Sequence, residues 1–288
     1  MNWTVTAPII SHQKNYRFEP ITNKHHESII KYCMGKDDSG LILYLQQMLQ
    51  ELCTDDSIII ENLPVIDQVF LLVRLRSICI GTRVELIVDG DEEDKKSTYK
   101  TSLVDIQKNI NQHYLDPITV TDDSTGVDIT LHYSSSWTDT STSTYITSIR
   151  TETTGIDLSQ LDESKIDRIL DQLSTKAISK IQKAIKSLDG SIEQMVFVKL
   201  PDKDYDITLS HDQYTHLLRV LYSDTLSNFV ELMYVFVKII NMQLSDVMRL
   251  TPSDTQMYYQ MFVKETNERE KAQRDSNANS GRNVPGFS

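Results

Sequence analysis

The stretch LPVIDQVFLLVRLRSICIG, residues Leu63 to Gly81, limits the fold more than any other part of the chain. Pro64 has no N–H to lose at a helix start, and Gly81 can adopt the left-handed backbone that ends helices. Between them Val65, Ile66, Val69, Phe70, Leu72, Val73, Leu75, Ile78 and Ile80 cover nearly the whole helical wheel. A helix that is apolar all round is either buried or membrane-spanning. Asp67, Gln68, Arg74, Arg76 and Ser77 break the run well short of the roughly 20 residues a bilayer needs, so it reads as a buried helix. The question is what Asp67, Arg74 and Arg76 meet there. Two readings stand open for the arginines. They are internal ties between the N-terminal helices and the acidic stretch that follows, or one of them reaches an acidic partner across an interface.

The rest of the chain alternates helical and extended signals. Val5–Phe18 alternates loosely, as one strand or two. Asn23–Lys36 and Gly40–Cys53 read as helices, the second capped from Asp37–Ser39, with Leu41, Leu43, Leu45, Met48, Leu49 and Leu52 mostly inward. Arg83–Val88 and Ser97–Val104 switch to period two and pair across the acidic turn DGDEED. From Ile118 to Thr154 the composition favours strands or extended loops. Within it, SSSWTDTSTSTYITSIRTETT is two-thirds Ser and Thr and reads as too polar for core, with hairpin ends and a loop middle. Helices return at Leu158–Leu173 and Thr175–Leu188, the second ended by Gly190. Two short strands follow, joined at Pro201–Asp204. An S-x-x-Q box at Ser210 and Gln213 starts a helix through Leu221. Leu226–Met242 reads as a second largely buried helix. Thr251-Pro252-Ser253-Asp254 caps a last, increasingly charged helix, and the tail from 276 reads as flexible. The expected class is α+β, with helical N- and C-terminal parts, antiparallel β-hairpins and a β-rich middle. Its parts are 1–82, 83–156, 157–275 and the tail 276–288.

Composition and motifs then exclude functions. With 29 basic and 41 acidic residues the net charge is −12, so nucleic-acid binding is not the main business of the chain. The three cysteines are few and sit in apolar surroundings, which suggests free buried thiols and a reducing compartment. The start MNWTVTAPIISHQKNYR lacks the n- and h-regions of a signal peptide, and no membrane anchor is expected. Asp89–Asp94 holds five carboxylates without the spacing of a calcium loop, and no zinc motif is present. There is no nucleophile elbow, phosphate loop or polar, electropositive cysteine. The expectation is a protein without cofactor or metal and without catalysis. Tyr258 and Tyr259, flanked by Met257 and Met261, form a Met and aromatic stripe that suits a core or a partner-helix surface rather than a ligand box.

The order of these motifs resembles the baseplate hub proteins of T-even-type bacteriophages. Leu63, Pro64, Asp67, Phe70, Leu71, Leu75, Arg76, Ile80 and Gly81 match that family's buried helix, and Ser77, Ile78 and Cys79 depart from it. Upstream, Phe18, Pro20 and Lys24 match its entry pattern. Downstream, Pro252, Asp254 and Tyr258 or Tyr259 match its closing pattern, and SDTLSNFVELMYVFVKIINMQLSDV is similar to its aromatic helix. The resemblance runs over residues 15–270. It departs at the hairpins, where many relatives place cysteine pairs and this chain has GDEEDKK and PDKDYD. The resemblance implies a non-enzymatic structural part of a contractile tail baseplate hub, made in the host cytoplasm and acting by docking. Its implied partners are other tail or baseplate hub proteins, with the tape-measure protein as a further candidate. The alternative it carries is an assembly chaperone absent from the finished virion. Candidate interface residues or structural ties are Asp67, Arg74, Arg76, Tyr258 and Tyr259, and the candidate docking segments are Ser134–Thr154, Met257–Arg274 and the tail.

Overall fold

A computed structural model describes residues 3–35, 37–89, 96–150, 155–156, 163–195, 197–198, 207–208, 214–222 and 226–280. The acidic turn, the 201–204 turn, the Ser210–Gln213 box and the tail beyond 280 lie outside them. So do residues 151–154, at the end of the Ser/Thr-rich stretch.

The chain opens with an antiparallel hairpin, β1 (Val5–Ile9) and β2 (Lys14–Phe18), in which Val5 pairs with Phe18 and Ile9 with Lys14. Two helices follow, α1 (Asn23–Met34) and α2 (Asp38–Leu52). Asp37 caps α2 by accepting from the Gly40 amide at 3.0 Å. Leu41, Leu45, Met48, Leu49 and Leu52 point inward, but Leu43 is exposed, one position off the buried stripe. The central helix α3 runs Val65–Cys79, so Pro64 stands just outside it as the N-cap. It ends where the Gly81 amide donates to the Arg76 carbonyl, with Gly81 at a φ of +145°.

Beyond α3, β3 (Arg83–Asp89) and β4 (Lys96–Ser102) form the expected hairpin, Arg83 opposite Ser102 and Asp89 opposite Lys96. Ser102 then caps α4 (Leu103–His113), which sequence reading left unassigned. Its Leu103, Ile106 and Ile110 recur at helical spacing and are buried. A four-stranded antiparallel sheet comes next, in the order β5 (Ile118–Asp122), β6 (Val127–Leu131), β7 (Ile146–Arg150) and β8 (Gly155–Ile156). After α5 (Glu163–Asp171), α6 runs Thr175–Met195 straight through Gly190. Gly190 does not end it because Ser191, Ile192 and Met195 continue the buried stripe, and their packing outweighs the roughly 1 kcal/mol a helical glycine costs. Two short paired strands, β9 (Phe197–Val198) and β10 (Ile207–Thr208), lead to α7 (Tyr214–Leu221). The chain closes with α8 (Leu226–Tyr234), which continues as a wide π-type turn over Val235–Ile239, then α9 (Leu244–Val247) and α10 (Pro252–Ser280). The fold is α+β.

One continuous apolar core runs from Val5 to Tyr222, with α3 inside it. A smaller core joins Ile30 of α1 to Phe229, Met233, Phe236 and Val247 of the C-terminal helices. Polar ties fasten this second unit to the first. Asn23, 1% exposed, donates from its side chain to the Val247 carbonyl at 2.8 Å and to Thr255 Oγ1 at 2.6 Å. The first amides of α1 donate to the carbonyls of Leu250 and Met248. Arg219 on α7 donates to the Cys33 and Gly35 carbonyls at the end of α1 and pairs with Asp38 at 2.5 Å. A helix end satisfied in this way leaves fewer orphan carbonyls.

The Ser/Thr-rich stretch corrects the expectation that it is too polar for core. Ser134, Trp137, Tyr145, Ile146 and Ile149 are buried within it, as are His132 and Tyr133 just before it. The Ser134 carbonyl accepts from the first amide of α3 at 2.8 Å, Tyr133 shares a hydrogen bond with Ser191 at 2.8 Å, and Tyr145 donates to Asp189 at 2.9 Å. Buried polar groups need partners; here hydroxyls, backbone, the Asp189 carboxylate and the Gln68 amide supply them, leaving the aromatic rings to pack. Asp122, at the end of β5, accepts from the Ser174 hydroxyl at 2.6 Å, the Ser174 amide and the Ser124 and Thr125 hydroxyls. Those donors hold its carboxyl far below the usual carboxylate range and fasten the start of α6 to the sheet.

The polar side chains of α3 and the C-terminal apolar helices

The polar residues of α3 tie it to several other elements. Gln68, fully buried, accepts at Oε1 from Gln46 on α2 at 3.1 Å and from the Trp137 indole at 2.9 Å, and it donates to the Leu63 carbonyl. Ser77 and Arg74 both reach Gln107 of α4, at 3.0 and 3.1 Å. The Arg76 head donates to the main-chain carbonyls of Leu221, Gly81 and Arg83, so it links the ends of α3 and α7 to the start of β3. An arginine has five donors in a fixed fork and suits such a junction. The acidic turn itself is outside the described residues. Replacing Arg76 with leucine leaves these carbonyls without their charged donor. The expected loss is about 1–3 kcal/mol of stability, read by chemical denaturation.

Asp67 is the uneasy member. It is 1% exposed; its Oδ2 accepts weakly from the Ser11 amide and the Tyr114 hydroxyl, and its Oδ1 is buried without a partner. Burial pushes its carboxyl above the ordinary value, against the smaller opposing pull of the Ser11 and Tyr114 donors and of His12. An acid whose folded pKa is raised favours folding in its protonated form. Its contribution is therefore best at low pH and is lost as pH rises from the ordinary carboxylate value through the raised one. Asp67→Asn is expected to melt at a higher temperature than the wild type at neutral pH, by about 1–3 kcal/mol equivalent, the usual cost of an unpaired buried polar atom. The difference closes as the pH falls to the ordinary carboxylate range, which a pH series of thermal melts reads directly.

Tyr258 and Tyr259 belong to a separate region. Tyr258 is exposed, and Tyr259 packs against the smaller core. The structure does not bring these tyrosines together with Asp67, Arg74 and Arg76, which take up ties inside the body. The region around the tyrosines has its own character. Eight of the fifteen large apolar side chains that stand exposed among the described residues lie between Val230 and Val263.

The run from Leu226 to Met242 thus departs from the expectation of a largely buried helix. Phe229, Met233 and Phe236 face the smaller core, whereas Val230 is 54% exposed, Tyr234 60% and Ile239 56%. The wide turn, where the Ile240 amide reaches back to the Val235 carbonyl, keeps Phe236 inward while Ile239 turns out. Asn241 closes it at a φ of +62°, a left-handed conformation that asparagine tolerates. Leu244 continues the exposed apolar set on α9, and Met257, Tyr258, Met261 and Val263 continue it on α10. A cleft of about 530 Å3 opens between α1, α8 and α10, lined among others by His26, Phe229, Leu232, Val235 and Tyr259. Thr251 caps α10 as expected, accepting from the Asp254 amide at 3.1 Å. Residues 267–275 are exposed throughout, on a helix whose 29 residues span about 43 Å, so its second half projects as a charged rod. Sequence hydrophobicity marked these helices, but it does not tell burial inside a chain from burial between chains.

Among the described residues no three His, Cys, Asp or Glu side chains converge to hold a metal ion, and no helix is long and apolar enough to cross a membrane. The three cysteines are free: Cys33 lies on α1, Cys79 on α3, and Cys53 just after α2, where it bridges to Phe18 of β2. Burial pushes the Cys33 and Cys79 thiols up to about 11, which keeps them protonated and poorly nucleophilic.

Residues 2–202 match the family model described as T4 bacteriophage base plate protein. No curated protein and no solved structure matches. The matched stretch takes in the body from β1 through β9, including α3 and its polar ties, and ends before the apolar helices α8–α10. It covers well over half of the chain, so the protein belongs to the T4 bacteriophage base plate protein family.

Proposed function

We propose that the protein is a non-enzymatic part of the baseplate hub, held in place by docking to other tail proteins through α8, α9 and α10. The observation that carries this reading is the concentration of exposed Val230, Tyr234, Ile239, Leu244, Met257, Tyr258 and Met261 on one set of C-terminal helices. Single exposed apolar residues need no explanation, but a group of them marks an interaction surface. Aromatic and methionine side chains are enriched at the centres of such surfaces. The Met and aromatic stripe at Tyr258 then serves as a partner-helix surface, with the hub proteins or the tape-measure protein as its partners. Synthesis in the host cytoplasm and a final place in the virion baseplate follow from this role.

A second reading rests on the same uncovered face. A chaperone that holds a long helical client, such as the tape-measure protein, also needs exposed apolar helix surface until the client leaves. Quantitative mass spectrometry of purified finished particles beside assembly intermediates separates the two. The hub reading expects a fixed small copy number in finished particles. Presence in intermediates alone would replace it with the chaperone.

A further inference from the structure

Acidic residues fill 41 of 288 positions, yet from Gln172 to Leu188 there is none. The same stretch carries Lys176, Lys180, Lys183 and Lys186, at intervals of four, three and three. On α6 these share one side, spread over about 15 Å. The other side, Ala177, Ile181, Ala184 and Leu188, is buried, and all four lysines are exposed. Lys176 has one long contact, 3.9 Å to Asp123, between two largely exposed groups, which is worth little. Lys180, Lys183 and Lys186 form no ion pair among the described residues. Like charges at these spacings oppose helix formation by a few tenths of a kcal/mol per pair, so the helix's own stability does not explain the arrangement.

For a chain of net charge −12 a second copy is repelled on average, and this lysine face offers it local attraction. The same chain also carries a complementary group. Asp89–Asp94 holds five carboxylates in six residues, in the segment that joins β3 to β4 at the end of the hairpin away from Arg83 and Ser102. We propose that the lysine face of α6 receives the acidic segment Asp89–Asp94 of a second copy of this chain. The two surfaces differ, so the contact is head-to-tail. The contact uses none of α8–α10 and stands or falls separately from the docking role above.

Sedimentation of the full chain tests this. The wild type is expected to self-associate at low salt and to dissociate as salt is raised, because exposed charges are screened. K180E/K183E/K186E and, separately, D91K/E92K/E93K/D94K are each expected to weaken association on the order of 100-fold, as like charges now face each other. The combined reversal is expected to regain it. Circular dichroism checks that each variant is folded, and lysine-to-glutamine changes at the same three positions serve if a reversal misfolds. A wild type that stays monomeric at low salt overturns the proposal. So does association that survives the lysine changes, or a combined variant that fails to recover.

Discussion

Replacing Trp137 with alanine is expected to destabilise the protein by about 3–5 kcal/mol, the range for emptying a buried large aromatic site. Nothing in the surrounding sequence, SSSWTDTST, announces such an effect. Trp137 is nevertheless 8% exposed, sits edge-on to Tyr214 of α7 at 6.0 Å between ring centroids, and donates its indole N–H to Gln68 near the start of α3. Losing it opens a cavity between α3, α7 and the Ser/Thr-rich segment and deprives the buried Gln68 of one donor. The drop reads out in chemical denaturation. Hydrogen exchange should rise together in residues 132–145 and in α7, because one side chain holds both. A loss under about 1 kcal/mol, with exchange confined to the segment, would show that this stretch only lies on the body rather than helping to build it.

The second large effect is expected on assembly rather than on folding. V230D/Y234D/I239D places three charges on the exposed side of α8 and the turn that follows it. Each position is more than half exposed, so stability should change by only about 0.5 kcal/mol per site, as surface substitutions do. Incorporation into base plates should fall on the order of tenfold to 100-fold, because a few residues carry most of the energy of an interface. The readout is the amount of variant in purified particles, measured beside its thermal melt. Normal incorporation would remove this face from the docking account. A low melting temperature would place these side chains in the core instead.

Much of the architecture could be read from residue patterns. The central helix announced itself because apolar residues on every side leave no other place for it, and Pro64 and Gly81 bounded it. The β3–β4 hairpin followed from the switch to period two on either side of DGDEED, and the start of α10 from Thr251, Pro252 and Asp254. Helix α4 was equally legible in Leu103, Ile106 and Ile110 after Ser102, but its polar residues hid it beside the stronger β signal that follows.

What could not be read were the long-range polar ties. Gln68 meets Trp137 across 69 positions, Asp122 meets Ser174 across 52, and Asn23 meets Thr255 across 232. No local spacing encodes such partners. The Ser/Thr-rich stretch misled for a related reason. Composition counts hydroxyls as solvent-seeking, whereas Ser134 and Thr144 bond each other at 3.0 Å and so allow Tyr133, Trp137 and Tyr145 to be buried. The candidate surface was marked by residue type and missed by burial. The run from Leu226 to Met242 has the apolar content of a core helix, and only the coordinates show that half of it faces out.

Cross-linking mass spectrometry on purified base plates tests the central claim most directly, because Lys238 and Lys264 stand exposed beside Ile239 and Val263. The account predicts links from both lysines to another tail protein, with few links from these positions back into this chain. Base plates in which Lys238 and Lys264 link only within the chain, while lysines elsewhere on the body link to neighbours, would contradict docking through the C-terminal helices.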